Sequence, residues 1–256
     1  MNIYKLHFAV DKSIKNTSFK KYIFKNNKQH SLNQCDVIVV IGGDGFMLQI
    51  LKKYYKYKKP FYGMNKGTFG FLLNKFKKKN IQKRISKAKQ VTISPLIMKT
   101  VTKNKKIFSE IAINEVSLLR QSRQTASLKI SNNKKIIIRK LVCDGVLVST
   151  PAGSTAYNLS IHGPILSLHS RKLAITPISP FRPRRWRGKV VSSSSSIKIK
   201  NLNIKKRPIS VVADNFEVRN VRIVNIKTDT KKFFKLLYDH NNHLSKKIRL
   251  ERIKIN

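Results

Sequence analysis

The sequence predicts an α/β N-terminal domain followed by an all-β C-terminal domain. Three observations carry that reading. Residues 37–51, VIVVIGGDGFMLQIL, pass from a β-branched block through a glycine turn into helical spacing, which is how a βαβ unit begins. From about Val91 onward, short alternating or β-branched segments recur, separated by Asn, Ser, Gly and Asp, the pattern of antiparallel strands. The chain has 256 residues, 41% of them hydrophobic, with thirteen Phe and eight Tyr. That is enough for two modest packed domains and too apolar for a disordered chain.

Taken in order, IYKLHFAV near the N-terminus reads as a short strand, and a polar Lys/Asn-rich stretch follows it to Cys35. Residues 36–41 form a continuous apolar run of the buried-strand type. Gly42 to Gly45 interrupt it, and Phe46, Met47, Ile50, Leu51 and Tyr54 then fall at helical spacing. Pro60 stops that helix, and FYGMNKGTFGFL reads as a second strand entering a second glycine turn. Residues 1–90 are therefore expected to form the α/β domain and 91–230 the β-rich domain. Ser192–Ser196 reads as a surface turn. The end, from about 231 to 256, returns to helical spacing in DTKKFFKLLYDHNNHL, and this helix is expected to pack back on the first domain.

The net charge of +44 admits two explanations. One is a polyanionic partner. The other is amino-acid usage, because Lys, Ile and Asn are frequent everywhere and the lysines form no single stripe with interleaved aromatics. The second is preferred, so no specific nucleic acid is expected. Cys35 and Cys143 stand apart, in neither a disulfide framework nor a zinc spacing. No run reaches the eighteen or so apolar residues of a membrane span, and the N-terminal residues lack a signal-peptide pattern. A cytoplasmic protein without a membrane partner is the expectation.

Four motifs carry candidate chemistry. Glycines directly after a strand let backbone approach a ligand, and amides opening a helix favour an anion. GGDG suits a phosphate on those grounds, except that its Asp44 would repel one. Asp44 therefore either caps the helix or faces a hydroxyl or a metal. The second turn, GMNKGTFGFL, carries Gly63, Gly67 and Gly70. Two such turns on neighbouring strands converge at one sheet edge, where open α/β sheets bind ligands. In INEVSLL, Asn114 and Glu115 interrupt an apolar strand and need polar partners. A nucleobase edge and a ribose diol would serve, as would an internal network. The fourth motif, CDGVLVSTPAGSTAYNLSIHGPIL, gathers Asp144, Ser149, Thr150, Ser154, Thr155, Tyr157, Asn158 and Ser160 among glycines and prolines. Its GSTAYNLS is expected to open a helix capped by Ser154 or Thr155, with amides turned to a ligand. It lacks the G-x-S-x-G spacing of a serine hydrolase, and His162 and His169 have no evident partner.

With these four motifs in order, the chain resembles the NAD kinase family over roughly residues 35 to 230. PFRPRRWRG and ADNFEVRNV resemble its bacterial branch. Cys143, where many relatives carry Gly, and Asn215, where they often carry Gly or His, depart from the pattern. The resemblance implies an NAD kinase-like two-domain fold and transfer of the terminal phosphate of ATP or polyphosphate to the 2′-hydroxyl of the adenosine ribose of NAD, giving NADP. It also implies a divalent metal, normally Mg²⁺, and a homodimer or homotetramer. Asp44 is then the catalytic base. Gly42, Gly43, Gly67 and Gly70 are the glycines of phosphate approach. NAD would meet Asp44, Gly45, Phe71, Asn114, Glu115, Asp144, Ala152, Thr155, Ala156, Tyr157, Asn158, Leu159 and Ser160. No metal ligand is assigned. A lipid kinase would share the GGDG turn without needing the STPAGSTAYNLS pocket, and a nucleic-acid-binding protein would explain the charge but not the motifs.

Overall fold

In the computed structural model, which describes residues 3–14, 17–66 and 70–239, the chain begins with alternating strands and helices. These are β1 (Leu6–Val10), α1 (Thr17–Asn26), β2 (Val37–Gly42), α2 (Asp44–Tyr54), β3 (Phe61–Asn65), the two-residue β4 (Asn74–Lys75), α3 (Ile81–Ser86) and β5 (Lys89–Ile93). Every residue of β2 is buried. That is the condition under which a strand reads as an unbroken apolar run. Its alternate residues Val37, Val39 and Ile41 pack with Phe19 and Ile23 of α1 and Ile81 and Ile85 of α3. The polar stretch ahead of Cys35 is thus a helix, missed because only two of its residues, Phe19 and Ile23, are fully buried.

The second part of the chain is built of strands: β6 (Leu96–Thr102), β7 (Ile107–Ala112), β8 (Glu115–Arg120), β9 (Ala126–Asn132), β10 (Lys135–Cys143) and β11 (Gly145–Ser149). A 3-10 turn at Gly153–Thr155 and a single turn of helix, α4 (Tyr157–Ser160), follow. Then come β12 (Lys172–Ile178), β13 (Lys189–Ser192), β14 (Ile197–Asn201), β15 (Ile209–Ala213), β16 (Phe216–Val218) and β17 (Val221–Thr228). They form two six-stranded antiparallel sheets, β10-β9-β14-β17-β6-β7 and β13-β12-β11-β8-β15-β16. One apolar core takes residues from both, among them Met98, Leu128, Ile199 and Val224 of the first and Val116, Leu118, Val146 and Val211 of the second. Two sheets sharing one core is sandwich packing. The serine run forms the turn from β13 to β14, and so carries the chain from one sheet to the other.

The last element is a strand, β18 (Phe234–Tyr238), where a helix beginning near 231 was expected. Its burial alternates, with Phe234, Leu236 and Tyr238 inside, a period of two rather than 3.6. It pairs parallel to β3 and antiparallel to β5, completing the order β1-β2-β3-β18-β5 with β4 beside β3. Residues 240–256, the rest of that expected helix, lie outside the described residues. The residues up to Ile93, joined by those from Phe233 onward, form one unit, and Ser94–Lys232 a second. Among the described residues no helix is long and apolar enough to cross a membrane.

Candidate functional site

In the first unit the site is set by the ends of β2 and β3, which are parallel. Asp44 is the first residue of α2, behind the extended Gly43, whose position makes no side-chain cap. The Asp44 carboxylate reaches beyond its own helix. It accepts the N–H of Phe71 through Oδ2 at 2.7 Å and the N–H of Leu72 through Oδ1 at 3.1 Å, spanning from one glycine turn to the other. The acid thus serves a neighbouring loop. The glycines divide into two kinds. A Cβ on Gly42 would come within 2.8 Å of the Phe46 ring, and one on Gly70 within 3.0 Å of Asp44 Oδ1. These two are required by packing rather than by ligand approach. Gly43 and Gly45 have nothing within 4 Å of an added Cβ, so the open space lies on either side of Asp44. Gly67 lies outside the described residues.

In the second unit, the turn from β7 to β8 carries Asn114 and Glu115. Its backbone is held by Asp214, which sits in the two-residue turn between β15 and β16 with φ of 53°. The Asp214 carboxylate accepts the amides of Ile113 at 2.8 Å and Asn114 at 2.9 Å, with Glu115 at 3.4 Å. The side chains they carry are left over. Asn114 Oδ1 and Glu115 Oε2 are buried without a hydrogen-bond partner. Burial above all, and then the charge of Asp214, pushes the Glu115 carboxyl up to about 8. Such orphaned buried oxygens are rare in folded proteins and call for an explanation. A polar ligand supplies one.

The STPAGST loop is bound to the same turn. The Thr150 amide donates to Asn114 O at 2.9 Å, its hydroxyl donates to Ile113 O at 2.7 Å, and the Gly153 amide donates to Thr150 Oγ1 at 3.0 Å. A Cβ on Gly153 would lie 2.2 Å from Asn114 O, so only glycine lets the two turns touch. This gathers Asn114 and Glu115 with Ala152 and Thr155, both buried, and with the half-buried Ala156, Tyr157 and Leu159; Ser160 is exposed. The expected helix cap is absent. Ser154 donates to Pro151 O and Thr155 to Ala152 O, and the helix has only four residues, too few for a useful terminal field.

Asn158 is corrected from a ligand contact to a scaffold residue. It is fully buried, its Nδ2 donates to Ser154 O and Pro164 O, and its Oδ1 accepts from Thr176. Its amide is thereby spent. Asp144 stands apart from the cluster. β8 and β11 pair with Ser149 opposite Glu115 and Gly145 opposite Leu119, which puts Asp144 five residues along the strand, about 17 Å at 3.3 Å per residue. There it accepts a hydrogen bond from Arg120 Nε at 2.6 Å. Among the described residues no three His, Cys, Asp or Glu side chains gather as a metal cage. The sequence reading missed Asp214. The Asp-Asn pair between two β-branched runs is a two-residue hairpin signal, but nothing in the order of residues says which amides such a carboxylate will meet.

Comparison with known proteins agrees with this arrangement. The ATP-NAD kinase N-terminal domain family model matches residues 2–91 and the ATP-NAD kinase C-terminal domain model residues 113–230. An NAD kinase of Brucella suis is 42% identical over 97% of this chain and 97% of its own. One of Zymomonas mobilis is 49% identical over 88% of each, and one of Caulobacter vibrioides 48% identical over 84% of this chain and 83% of its own. Among solved structures, yeast NADH kinase complexed with NADH superposes with a TM-score of 0.81 at 19% identity, covering 97% of this chain and 87% of that one. An Archaeoglobus fulgidus NAD kinase in complex with ATP gives 0.75 at 23% identity, covering 95% and 98%. The two structures share the fold, the relatives share the sequence over most of its length, and the chain belongs to the NAD kinase family.

Proposed function

We propose that this NAD kinase uses Asp44 to take the proton of the 2′-hydroxyl on the adenosine ribose of NAD while that oxygen attacks the terminal phosphate of ATP. The new bond joins the ribose oxygen to phosphorus, the bridge to the donor's second phosphate breaks, and NADP and ADP leave. A secondary hydroxyl is a poor nucleophile until a base within hydrogen-bond reach accepts its proton. The observation that carries this reading is the placement of Asp44. Two backbone amides fix its carboxylate, and the glycines on either side leave open space beside it. Phosphoryl transfer otherwise asks a protein mainly for positioning and charge compensation.

Asn114 and Glu115 would hold the adenosine half of NAD. Their unpartnered buried oxygens support that role, with Ala152, Thr155, Ala156 and Tyr157 lining the same pocket and Leu159 and Ser160 at its edge. The yeast and Archaeoglobus structures, solved with NADH and ATP respectively, support a dinucleotide acceptor and ATP as donor. A divalent cation, Mg²⁺, would come with the donor's phosphates, whose hard oxygens suit it. Such an ion needs only one or two protein carboxylates beside the phosphates, and no protein ligand is assigned to it.

Asp144, about 17 Å from Glu115 along the strand, would meet the nicotinamide half of NAD, and a homodimer or homotetramer is proposed from the family resemblance. Two unpaired, buried cysteines, Cys35 and Cys143, accord with a reducing cytoplasm. The test is NADP formation by the purified protein with ATP, polyphosphate, NAD and NADH offered in turn, with and without Mg²⁺. Phosphorylation of a diacylglycerol or sphingoid base without NADP formation would overturn the assignment.

A further inference from the structure

Tyr238 is the last residue of β18, and its hydroxyl is buried with no hydrogen-bond partner. The backbone around it is held firmly: the Asn74 side chain bonds on either side of Tyr238, its Nδ2 donating to Leu237 O at 2.8 Å and its Oδ1 accepting the Asp239 amide at 2.9 Å. On the far strand Tyr238 pairs with Lys89. Asp239 is fixed in turn by Tyr62, whose hydroxyl donates to it at 2.8 Å, and by the Arg84 guanidinium. Two residues on either side of the phenol are therefore committed, and the phenol is not.

β18 runs parallel to β3, with Leu236 opposite Phe61. Tyr238 is accordingly level with Gly63, two residues short of the end of β3. A Cβ on Gly63 would meet Leu73, and one on Gly70 would meet both Leu73 and Asp44 Oδ1, so Leu73 links this part of the sheet to Asp44. Burial, and then the negative charge of Asp44, hold the phenol well above its ordinary titration range. It is thus a neutral O–H donor within electrostatic reach of the Asp44 carboxylate. Asp11 after β1, Lys66 after β3, Lys75 of β4 opposite Asn65 and Asp239 after β18 also carry charge at these strand ends, and the first two are tied to β2. The backbone amides of those two bond to Ile41 O and Gly42 O.

A buried hydroxyl without a partner is costly in a folded chain unless something else needs it. We infer that Tyr238 is a positioning residue for Asp44, its hydroxyl donating to the Asp44 carboxylate once the acceptor ribose is seated and water has left. The two backbone amides fix Asp44 from the loop side, and the phenol fixes it from the sheet side, so that the remaining oxygen lone pairs point at the ribose hydroxyl. This rests on the reading of Asp44 as the base.

Tyr238→Phe keeps the ring and deletes the donor. Because no hydrogen bond is lost from the ligand-free fold, the variant melts at or above the wild-type temperature. Its kcat falls about tenfold, the effect of one hydrogen bond to a charged group, while KM for NAD stays within about twofold. Made in an Asp44→Asn background, the same change alters kcat by less than about twofold, because the partner charge is already gone. Unchanged kcat in the single variant overturns the inference. So does an equal loss in both backgrounds, which would mean an effect independent of Asp44, and so does a lower melting temperature, which would mean a structural bond. If Asp44→Asn itself keeps more than about a tenth of wild-type turnover, the base assignment fails instead.

Discussion

Asp44 and Asp214 each place a carboxylate across consecutive backbone amides, Phe71 and Leu72 for one, Ile113 and Asn114 for the other. What adjoins them differs. Beside Asp44 the neighbouring side chains have been removed, since Gly43 and Gly45 open onto empty space, and the carboxylate itself is the proposed base. Beside Asp214 polar side chains have been added. Asn114 and Glu115 bring oxygens that the fold does not satisfy, and the carboxylate is an anchor behind them. On the proposed reading the same device, an acid clasping a turn, would do chemistry in one place and present ligand contacts in the other. The distinction lies in the flanking residues.

The comparison breaks most decisively at Asp44. Asp44→Asn keeps one acceptor oxygen but turns an N–H₂ toward the Phe71 or Leu72 amide. Turnover should fall about 10²–10⁴-fold, the usual cost of losing a general base, with NAD still bound and the melting temperature lowered by a few degrees. Steady-state NADP formation and thermal melting check both. Near-normal turnover would reduce Asp44 to an anchor like Asp214.

Asp214→Asn is the matching change on the other side. It should leave one buried amide unsatisfied, a cost of about 1–3 kcal/mol, or roughly 2–10 °C in melting temperature for a chain this long. KM for NAD should rise severalfold because the Asn114–Glu115 turn loosens, while kcat changes little. A kcat collapse with unchanged KM would show that the two acids are not divided as described.

Tyr157→Ala sharpens the edge of the binding cluster. Base–aromatic contact is worth about 1–3 kcal/mol per base, so KM for NAD should rise about tenfold with turnover nearly kept; the reverse split would place the ring elsewhere.

A further check is the pH dependence of Glu115. Its carboxyl is raised in the fold from an ordinary 4.5 to about 8. The folded state therefore binds this proton more tightly than the unfolded chain does. The associated stability is complete below about pH 4.5, declines as pH rises, and is gone above about pH 8. Glu115→Gln lacks that decline. In thermal melts without ligand, the variant should gain on wild type steadily between those limits. Parallel curves would mean the carboxyl is not buried as shown.

Much of this was legible in the residues, for physical reasons that also explain what was not. β2 shows as an unbroken apolar run because both its faces are covered. Asn114 and Glu115 show because they interrupt an apolar pattern. β18 misled because FFKLLY satisfies a helical spacing about as well as an alternating one, and only the gap between β3 and β5 decides. Asn158 misled because a polar residue in a polar loop gives no sign that its amide is already spent on Ser154, Pro164 and Thr176. Asp214 was invisible for a third reason. The amides it holds lie about a hundred residues away in the chain, where no local pattern can point.

The contact between Gly153 and Asn114 also has a consequence for how this region opens. The Thr150 amide is bonded to Asn114 O and the Gly153 amide to Thr150 Oγ1, and Thr150 is almost fully buried. Neither proton can exchange with solvent until the two turns part, so both report one opening event rather than two local frayings. A nucleotide seated on either turn then slows deuterium uptake in the other. The loop and the strand end behave as a single exchange unit, although some thirty-five residues of chain separate them.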